Sequence, residues 1–356
     1  EIRTTLGGSG AGEPLVQAIL QAFAEPGRTV AESFNEAMAA VLERFGMVLA
    51  DAANPALKKL SRPVLRGALE EAVALEAALI RRNRAIAEAG YSTQVVVLEG
   101  GTNVFREGER GRERLDRAEG GFALRERRRT LESEAVFSEL EATPEVYSPN
   151  VLLRPVVESA VFPTIAYIGG PGEIAYFAQT AALFKAFGRT PPVVVPRFSG
   201  LVVEPAVERA LSALQLSIPD TAEPRDLLME RLARGAMPEG AAQTLTGMRE
   251  EIVSRFDELA DRVEEIDSTL VGALAAERDR LLLGATRAER RIVRALKRSD
   301  RVAADRLDRV LNSLRPEGQP QDRVLNVLTY LVRYGEHFLD ETRLAMDQHW
   351  SLPTEE

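Results

Sequence analysis

The spacing of apolar residues changes along the chain and predicts a succession of different elements. Residues 1–90 have apolar positions at helical spacing after a glycine-rich start, LGGSGAGEP, which is typical of a turn or a solvated lead-in. Within this part, Met47–Ala50 predicts a short strand, Asn54-Pro55 predicts a helix start, and Gly90 predicts a helix end. We therefore expect residues 1–90 to form a mainly helical part of an α/β core.

The middle of the chain is predicted to contain strands. In residues 91–147 the runs TQVVVLE, TNVFRE and GFALRER are β-prone and separated by glycine and charge, which indicates a β-rich insertion. Residues 148–204 contain PTIAYI, the turn GGPGE, a helical segment and PPVVVPRFSG. Two buried strands on either side of a helix make one βαβ step of a parallel sheet, so the fold class is α/β.

The following segments are predicted to be helical. Residues 205–245 are a helical connection broken by Pro219, Pro224 and Pro238. In residues 246–313, apolar seam positions recur at intervals of 4, 3, 4, 3 and 4, and the same spacing returns from Ile292 to Val310. The first seam contains Ile252, Phe256, Leu259, Val263, Ile266 and Leu270. This pattern predicts a long antiparallel coiled-coil hairpin.

Helix-capping residues separate the two heptad segments. Asp267-Ser268-Thr269 favours a hairpin over the alternative of one very long helix. Residues 314–356 are predicted to form a loop and one final helix. The apolar side of that helix would consist of Val324, Leu328, Leu331 and Phe338.

Composition and charge exclude several kinds of chemistry. The 356 residues carry a net charge of −9, which argues against a nucleic-acid-binding surface, and no apolar run is long enough to span a membrane. We expect no signal peptide and a cytoplasmic location. The absence of cysteine excludes a thiolate nucleophile and a cysteine-ligated metal, and no metal is predicted. Only His337 and His349 are present, so a histidine general base is not expected.

Polar residues follow all three predicted strands of the core, where ligands of parallel sheets bind. Asp51 and Asn54 follow the first strand, residues 169–173 the second, and Arg197 the third. Glu173 and Asp51 are the candidate catalytic residues, either of which could hold an ammonium group. The candidate substrate-binding residues are Asn54, Asn150, Arg154, Gly169, Gly170, Gly172 and Arg197. Together they suit a zwitterionic or polycarboxylate ligand.

Each of these residues also has a purely structural interpretation. The glycines could permit positive φ and close packing, Glu173 could belong to an ordinary helix start, and Asp51 could cap a turn. Arg197 could be a surface arginine. Tyr167 and Tyr176 could line the pocket or belong to the core.

A second candidate site lies in the loop from Arg315 to Arg323. Gly318 allows an unusual backbone, and Gln319, Gln321 and Arg323 offer donors suited to a phosphate or an adenine edge. A nucleotide is therefore expected to involve Gly318, Gln321 and Arg323. The alternative is a rigid loop that docks the C-terminal helix.

Three segments resemble the bacillithiol biosynthesis cysteine-adding enzymes, the BshC family. They are SPNVLLRPVVESAVFPTIAYIGGPGEIAYFAQ with PPVVVPRFSG, then DAANPALKKLSRPVL, and RPEGQPQDRVLNVLTYLVRYGEHFL. The resemblance runs in order over essentially the whole chain. It implies a Rossmann-like core related to class I aminoacyl-tRNA synthetases and nucleotidylyltransferases, with connecting peptides and a coiled coil that forms a homodimer.

The resemblance also implies an activity. The family joins cysteine to glucosaminyl-malate through an amide bond, in the last step of the synthesis of bacillithiol, a low-molecular-weight thiol of redox homeostasis. Use of ATP, and hence binding of ATP or ADP, is expected from the relatives of the fold and from the energetics of amide formation. Nucleic acid and membranes are not expected as partners.

One difference from the family is expected. Its members begin with a longer N-terminal part that has a Thr-Gly-Gln-Gln segment and a strand ending in an Asp/His pair similar to the synthetase HIGH motif. We expect this sequence to lack that part. The alternative to a ligase is a non-catalytic coiled-coil assembly protein with a vestigial core. A tRNA-charging relative is disfavoured by the acidic composition.

Overall fold

The computed structural model describes residues 13–108, 111–124, 129–264, 266–267 and 269–351. They form two units, residues 13–198 with 335–351, and residues 199–334. The division between the units lies inside the predicted segment 148–204. The glycine-rich start and Ser268 of the predicted helix cap lie outside the described residues.

Four helices open the first unit, as the helical spacing predicts. They are α1 (Pro14–Ala24), α2 (Val30–Leu42), α3 (Pro55–Glu70) and α4 (Ala72–Glu88). Asn54 caps α3, since its Oδ1 accepts a 2.9 Å hydrogen bond from the Ala56 N–H. Gly90 follows α4 with a φ of +86°, which a residue with a side chain rarely adopts.

The strand predicted at Met47–Ala50 is wrong. This segment has no regular structure, and Val48 is 91% exposed. A strand needs a neighbouring backbone to satisfy its N–H and C=O groups. In the described part of the chain, the sheets are built from other segments.

A five-stranded antiparallel sheet follows, in the spatial order β4-β3-β2-β1-β5. The strands are β1 (Gly101–Gly108), β2 (Gly111–Ala118), β3 (Gly121–Leu124), β4 (Arg129–Glu132) and β5 (Tyr147–Pro149). The unpredicted helix α5 (Ser133–Ala142) joins the last two strands. Val104, Leu115 and Phe122 bury their side chains in the main core, so the β-rich insertion is part of that core.

The β-prone run at residues 93–99 does not form a strand. Val95 packs against the core, and the side chain of buried Gln179 takes the place of a neighbouring strand. The Gln179 Oε1 accepts from the Val95 N–H at 3.0 Å, and its Nε2 donates to the Val95 carbonyl at 2.9 Å. One amide side chain therefore makes the hydrogen bonds to the Val95 N–H and C=O groups that a neighbouring strand would otherwise make.

The predicted βαβ step is present. Strand β6 (Ala166–Gly169) pairs in parallel with β7 (Val193–Pro196), and helix α7 (Pro171–Ala186) connects them. The shorter helix α6 (Arg154–Val161) precedes β6.

The prediction that both strands are buried is wrong, because Ile168 and Val193 are each 66% exposed. The sheet has two strands, so apolar side chains directed away from α7 remain uncovered. Parallel sheets are ordinarily covered on both faces.

The second unit has its own core. Helices α8 (Pro205–Leu214), α9 (Arg225–Gly235) and α12 (Arg301–Leu314) pack through Leu211, Leu228 and Leu307. The prolines interrupt the helices as predicted. Pro219 begins a single 3₁₀ turn, Pro224 precedes α9, and Pro238 precedes α10 (Glu239–Glu264).

Helix α10 and helix α11 (Thr269–Ser299) pack against each other as the predicted hairpin. The central cap is also present, since Asp267 Oδ1 accepts from the Thr269 N–H at 2.9 Å. The second heptad segment is not continuous, however. Asp300 caps α12 at the Ala303 N–H, and buried residues of α12 belong to the core with α8. The hairpin therefore consists of α10 and α11.

The C-terminal helix is divided into three. They are α13 (Gln321–Val324), α14 (Leu328–Tyr334) and α15 (His337–Ser351), which replace the predicted single helix. Asn326 caps α14 at the Leu328 N–H, and Gly335 has a φ of +65°. Among the described residues, no helix combines the length and the apolar character needed to cross a membrane.

Candidate functional site

The turn between β6 and α7 is built around Glu173. Gly170 precedes α7 in an extended conformation, and Pro171 is the first helical residue. The Gly170 N–H donates a 2.8 Å hydrogen bond to Glu173 Oε2. Gly170, a predicted substrate-binding residue, therefore has its backbone N–H bonded to the glutamate of the helix that it precedes.

The glycines of this turn fit only part of their structural interpretation. Positive φ is absent from Gly169, Gly170 and Gly172, so the expectation of positive φ is wrong. Gly169 does allow the close packing that was predicted, because a Cβ there would lie 3.2 Å from the Glu173 Cβ and 3.4 Å from the Tyr167 ring. Gly172 has space for a side chain.

Glu173 is held as a carboxylate. The Tyr167 hydroxyl donates a 2.7 Å hydrogen bond to its Oε1. The pKa of Glu173 is lowered by the Gly170 N–H, by the Tyr167 hydroxyl and by the positive charge of Arg197. Burial and the Glu173 carboxylate raise the pKa of Tyr167, which remains a hydrogen-bond donor.

Arg197 lies beside the glycine turn. Its backbone N–H donates a 2.8 Å hydrogen bond to the Gly169 carbonyl at the end of the β6–β7 pair. The positive charge of Arg197 contributes to the lowered pKa of Glu173. The backbone of Arg197 is thus joined to the glycine turn.

Arg154 approaches the same region from α6. Its Nε donates a 2.6 Å hydrogen bond to Glu158 one turn later, and this carboxylate raises the pKa of Arg154. Arg154 and Tyr167 line the same cavity. We call this group the Tyr167 cluster; its members are Arg154, Glu158, Tyr167, Glu173, Tyr176 and Arg197.

A cavity of about 230 Å³ adjoins the cluster. Its polar wall includes Arg154, Glu158 and Tyr167, and the segment around Asp51 contributes Ala50 and Ala52. Tyr167 lines this cavity and also packs against Phe177, with 4.5 Å between ring centroids, as part of the core. Strand β6, helix α6 and the irregular segment together bound a small cleft that is mainly apolar and has a polar wall.

Three other predicted residues have local structural partners. Asp51 Oδ1 accepts from the Ala53 N–H at 2.8 Å, and Asn54 caps α3. Asn150 is buried, and its amide bonds to Asn103 and to the N–H groups that precede α6. Asn150 therefore fixes the backbone at the start of α6, where Arg154 is the first residue. Asp51 and Asn54 hold the segment that borders the cavity.

The proposed nucleotide loop has a buried amide at its centre. Gln321 Nε2 donates to the carbonyls of Val202 and Ser313, and Gln321 Oε1 accepts from the Val202 N–H at 2.8 Å. These bonds dock the loop, as the structural alternative predicts. Gly318 has the expected left-handed backbone, with φ of +74°, and Arg323 is exposed.

Sequence reasoning missed two cations. Lys58 and Arg112 line a second cavity of about 280 Å³, to which Arg154 also contributes. Lys58 lies one helical turn after Asn54, so the sequence contained a signal for it. The sequence contained no such signal for Arg112. This residue reaches the cavity because β2 and β5 both pair with β1.

Comparison with known proteins identifies the family. The model of the bacillithiol biosynthesis BshC N-terminal Rossmann-like domain matches residues 1–198, and that of the BshC C-terminal coiled-coil domain matches residues 200–350. The chain belongs to the BshC family. The resemblance noted in the sequence is confirmed, as are the Rossmann-like core and the coiled-coil region.

Individual relatives agree with the family models. A protein of Koribacter versatilis is 31% identical over 330 residues, 92% of this chain and 62% of the relative. A protein of Salinibacter ruber is 31% identical over 94% of this chain and 61% of its own length. A protein of Bacillus cereus is 28% identical over 88% of this chain and 58% of its own length. Each is provisionally named cysteine ligase BshC. The chain spans about three fifths of the length of these relatives.

Proposed function

We propose that this BshC-family protein acts as a ligase that joins L-cysteine to glucosaminyl-malate through an amide bond, the last step of bacillithiol synthesis. The observation that carries the proposal is the charge arrangement at the ends of β6 and β7. Glu173, held as a carboxylate by the Gly170 N–H and the Tyr167 hydroxyl, lies in the turn after β6, and Arg197 follows β7 with its backbone N–H bonded to the Gly169 carbonyl. An α-amino acid presents the complementary pair, an ammonium and a carboxylate.

Glu173 retains capacity for a ligand. The Gly170 N–H and the Tyr167 hydroxyl donate to different carboxylate oxygens of Glu173, and each carboxylate oxygen can accept two hydrogen bonds. An ammonium group could therefore bind without breaking the helix cap. In the proposed complex Glu173 holds the amine and Arg197 holds the carboxylate of the amino acid. Arg154 and Tyr167 lie in the adjoining cavity wall and would orient the second substrate.

Amide formation from a free carboxylate and an amine releases water and is uphill, so we include ATP as the co-substrate. The loop from Arg315 to Arg323 remains the proposed place of contact with nucleotide. Because the Gln321 amide is bonded to Val202 and Ser313, that role would fall to Gly318 and Arg323.

We further propose a homodimer formed by the α10–α11 hairpin, whose Leu259, Leu270 and Leu281 are 43%, 44% and 50% exposed.

The alternative function, an assembly protein that uses only its hairpin, is favoured by the same exposed leucines. A product assay distinguishes the two. The chain is extended at its N-terminus with the corresponding part of the Koribacter versatilis relative and incubated with cysteine, glucosaminyl-malate and ATP. Mass spectrometry should detect the condensed product and its dependence on all three reactants. Absence of product from this extended protein, with dimerisation intact, would favour the assembly function.

A further inference from the structure

The cavity of about 280 Å³ beside β5 has an unusual concentration of positive charge. Its lining includes Lys58 from α3, Arg112 from β2 and Arg154 from α6, with Glu158 as the carboxylate of that wall. Glu158 is bonded to Arg154. The rest of the lining is mainly apolar, including Leu57, Val157 and Phe162.

Neutral oxygen atoms bind the side chains of Lys58 and Arg112, the two cations that the sequence did not predict. The Lys58 Nζ donates a 2.7 Å hydrogen bond to the Tyr147 carbonyl. The Arg112 Nε donates a 2.8 Å hydrogen bond to the Ser148 Oγ, and its terminal nitrogen bonds to the Pro149 carbonyl. All three acceptors belong to β5, so one short strand fixes both cations on the same wall.

Arg112 is fixed on a second side. Its guanidinium stacks over the Phe105 ring, with 4.2 Å from Cζ to the ring centroid. Phe105 pairs with Ser148 across the β1–β5 ladder, so the ring and the hydrogen-bond acceptor belong to one rigid sheet. A guanidinium held in this way retains further N–H donors for a ligand, since it carries five.

The charges in this wall are incompletely balanced. Burial and the neighbouring Arg112 lower the pKa of Lys58, whereas Glu107, Asp51 and Glu145 act in the opposite direction with smaller effect. Burial lowers the pKa of Arg112, Glu107 acts against this, and the charge of Arg154 lowers the pKa further with a smaller effect. Like charges fixed near one another raise the free energy of the empty site, and a bound anion would remove that cost.

We propose that this cavity is a binding site for a small dianion, held by Lys58 and Arg112 with Arg154 at its far side. The ligand chemistry is a pair of carboxylates or a phosphoryl group, either of which accepts several charge-assisted hydrogen bonds. The volume lies near the lower end for ligand sites and suits a molecule of a few carbon atoms.

The proposal deepens the proposed function, because the malyl part of glucosaminyl-malate is a dicarboxylate. Arg154 lines both this cavity and the one beside Tyr167, so the two sites adjoin. A dicarboxylate bound by Lys58 and Arg112 would direct the remainder of its molecule toward Glu173. Binding can be measured without cysteine, ATP or turnover, so its outcome is separable from that of the ligase assay.

The experiment is isothermal calorimetry of the chain with L-malate, inorganic phosphate and acetate as separate probes. Acetate, with one carboxylate, should bind at least about tenfold more weakly than a dianion. Lys58→Met and Arg112→Met should each weaken dianion binding by about tenfold or more. Lys59→Met is the matched control, since the adjacent exposed lysine is outside the cavity lining and the change of charge is identical.

The comparison of probes identifies the ligand. Preference for malate supports a dicarboxylate site, and preference for phosphate supports a phosphoryl site. The proposal is overturned if neither dianion binds the unaltered chain at millimolar concentration, or if Lys58→Met and Lys59→Met bind equally well. Circular dichroism checks the fold of each variant. Arg112→Lys, which keeps the charge, replaces Arg112→Met if the latter does not fold.

Discussion

The Tyr167 hydroxyl donates a 2.7 Å hydrogen bond to Glu173 six residues later, across the turn that joins β6 to α7. Glu173 also accepts from the Gly170 N–H, so one carboxylate links the strand, the turn and the helix. The same two bonds that make Glu173 a helix-start residue keep it ionised. Its structural and proposed functional roles are therefore compatible.

The first prediction concerns Glu173→Gln in the extended protein. A Gln side chain can still accept hydrogen bonds, so we expect a loss of about 1 kcal/mol in the free energy of unfolding. Cysteine-dependent product formation should fall by about tenfold or more, because a charge-assisted contact to the substrate amine is lost. Mass spectrometry of the product gives the rate.

Glu32→Gln is the matched control for Glu173→Gln. Glu32 accepts a 2.8 Å hydrogen bond from the Thr29 N–H at the start of α2, the same cap that Glu173 makes with Gly170. This variant should lose stability without loss of product. Unchanged turnover in Glu173→Gln would return Glu173 to a purely structural role.

The second prediction is a dependence of stability on pH at the Tyr167–Glu173 pair. The folded pKa of Glu173 lies below its ordinary value of 4.5. Its contribution to stability is therefore present above about pH 4.5 and is lost as the pH falls through the folded pKa. Tyr167→Phe removes one cause of the lowered pKa. The variant should be less stable than the parent by about 1–2 kcal/mol at pH 7, and by less at pH 3.

Urea unfolding at the two pH values measures this difference. Tyr91→Phe is the control, because Tyr91 is 73% exposed and should tolerate the change at both pH values. A destabilisation by Tyr167→Phe that is the same at pH 7 and pH 3 would contradict the assigned coupling to Glu173.

The third prediction concerns the docking of the loop before α13. Gln321→Leu leaves the backbone groups of Val202 and Ser313 without the amide that now bonds to them. We expect a loss of about 3 kcal/mol in the free energy of unfolding, the scale of buried polar groups that lose their partners. Gln319→Leu, at an exposed position of the same loop, should change it by less than about 0.5 kcal/mol. Similar effects of the two changes would contradict the docking role.

The fourth prediction tests nucleotide binding at that loop. Arg323→Ala should weaken ATP or ADP binding by about tenfold, the effect expected from one contact between a guanidinium and a phosphate. Calorimetry on the chain measures the affinity, and Arg209→Ala, at an exposed position of α8, is the control. Equal affinities of Arg323→Ala and the parent would dismiss the site.

The fifth prediction is dimerisation through the hairpin. Light scattering should give about twice the chain mass of 39.0 kDa at micromolar concentration. Leu259→Glu combined with Leu270→Glu should shift the mass toward a monomer, because charges would replace an exposed apolar stripe. Leu344→Glu, at a leucine of α15 that is 50% exposed, should leave the mass unchanged. A monomeric parent would contradict the prediction.

The sequence by itself determined the features that depend on a few neighbouring residues. Asn54 caps a helix, Gly90 ends one, and Asp267 separates the two helices of the hairpin, as their types and positions predict. Caps and turns are satisfied by side chains within three or four residues. The order of helix and strand around the GGPGE turn was predictable for the same reason.

Only the tertiary structure decided which apolar runs become strands and which cations share a cavity. Met47–Ala50 and residues 93–99 have strand-like sequences, but the first segment has no regular structure. In the second, the Gln179 side chain makes hydrogen bonds with the Val95 backbone in place of a neighbouring strand. Lys58 and Arg112 meet because β5 offers acceptors to both. Pairing of this kind joins residues tens of positions apart, and local periodicity carries no information about such partners.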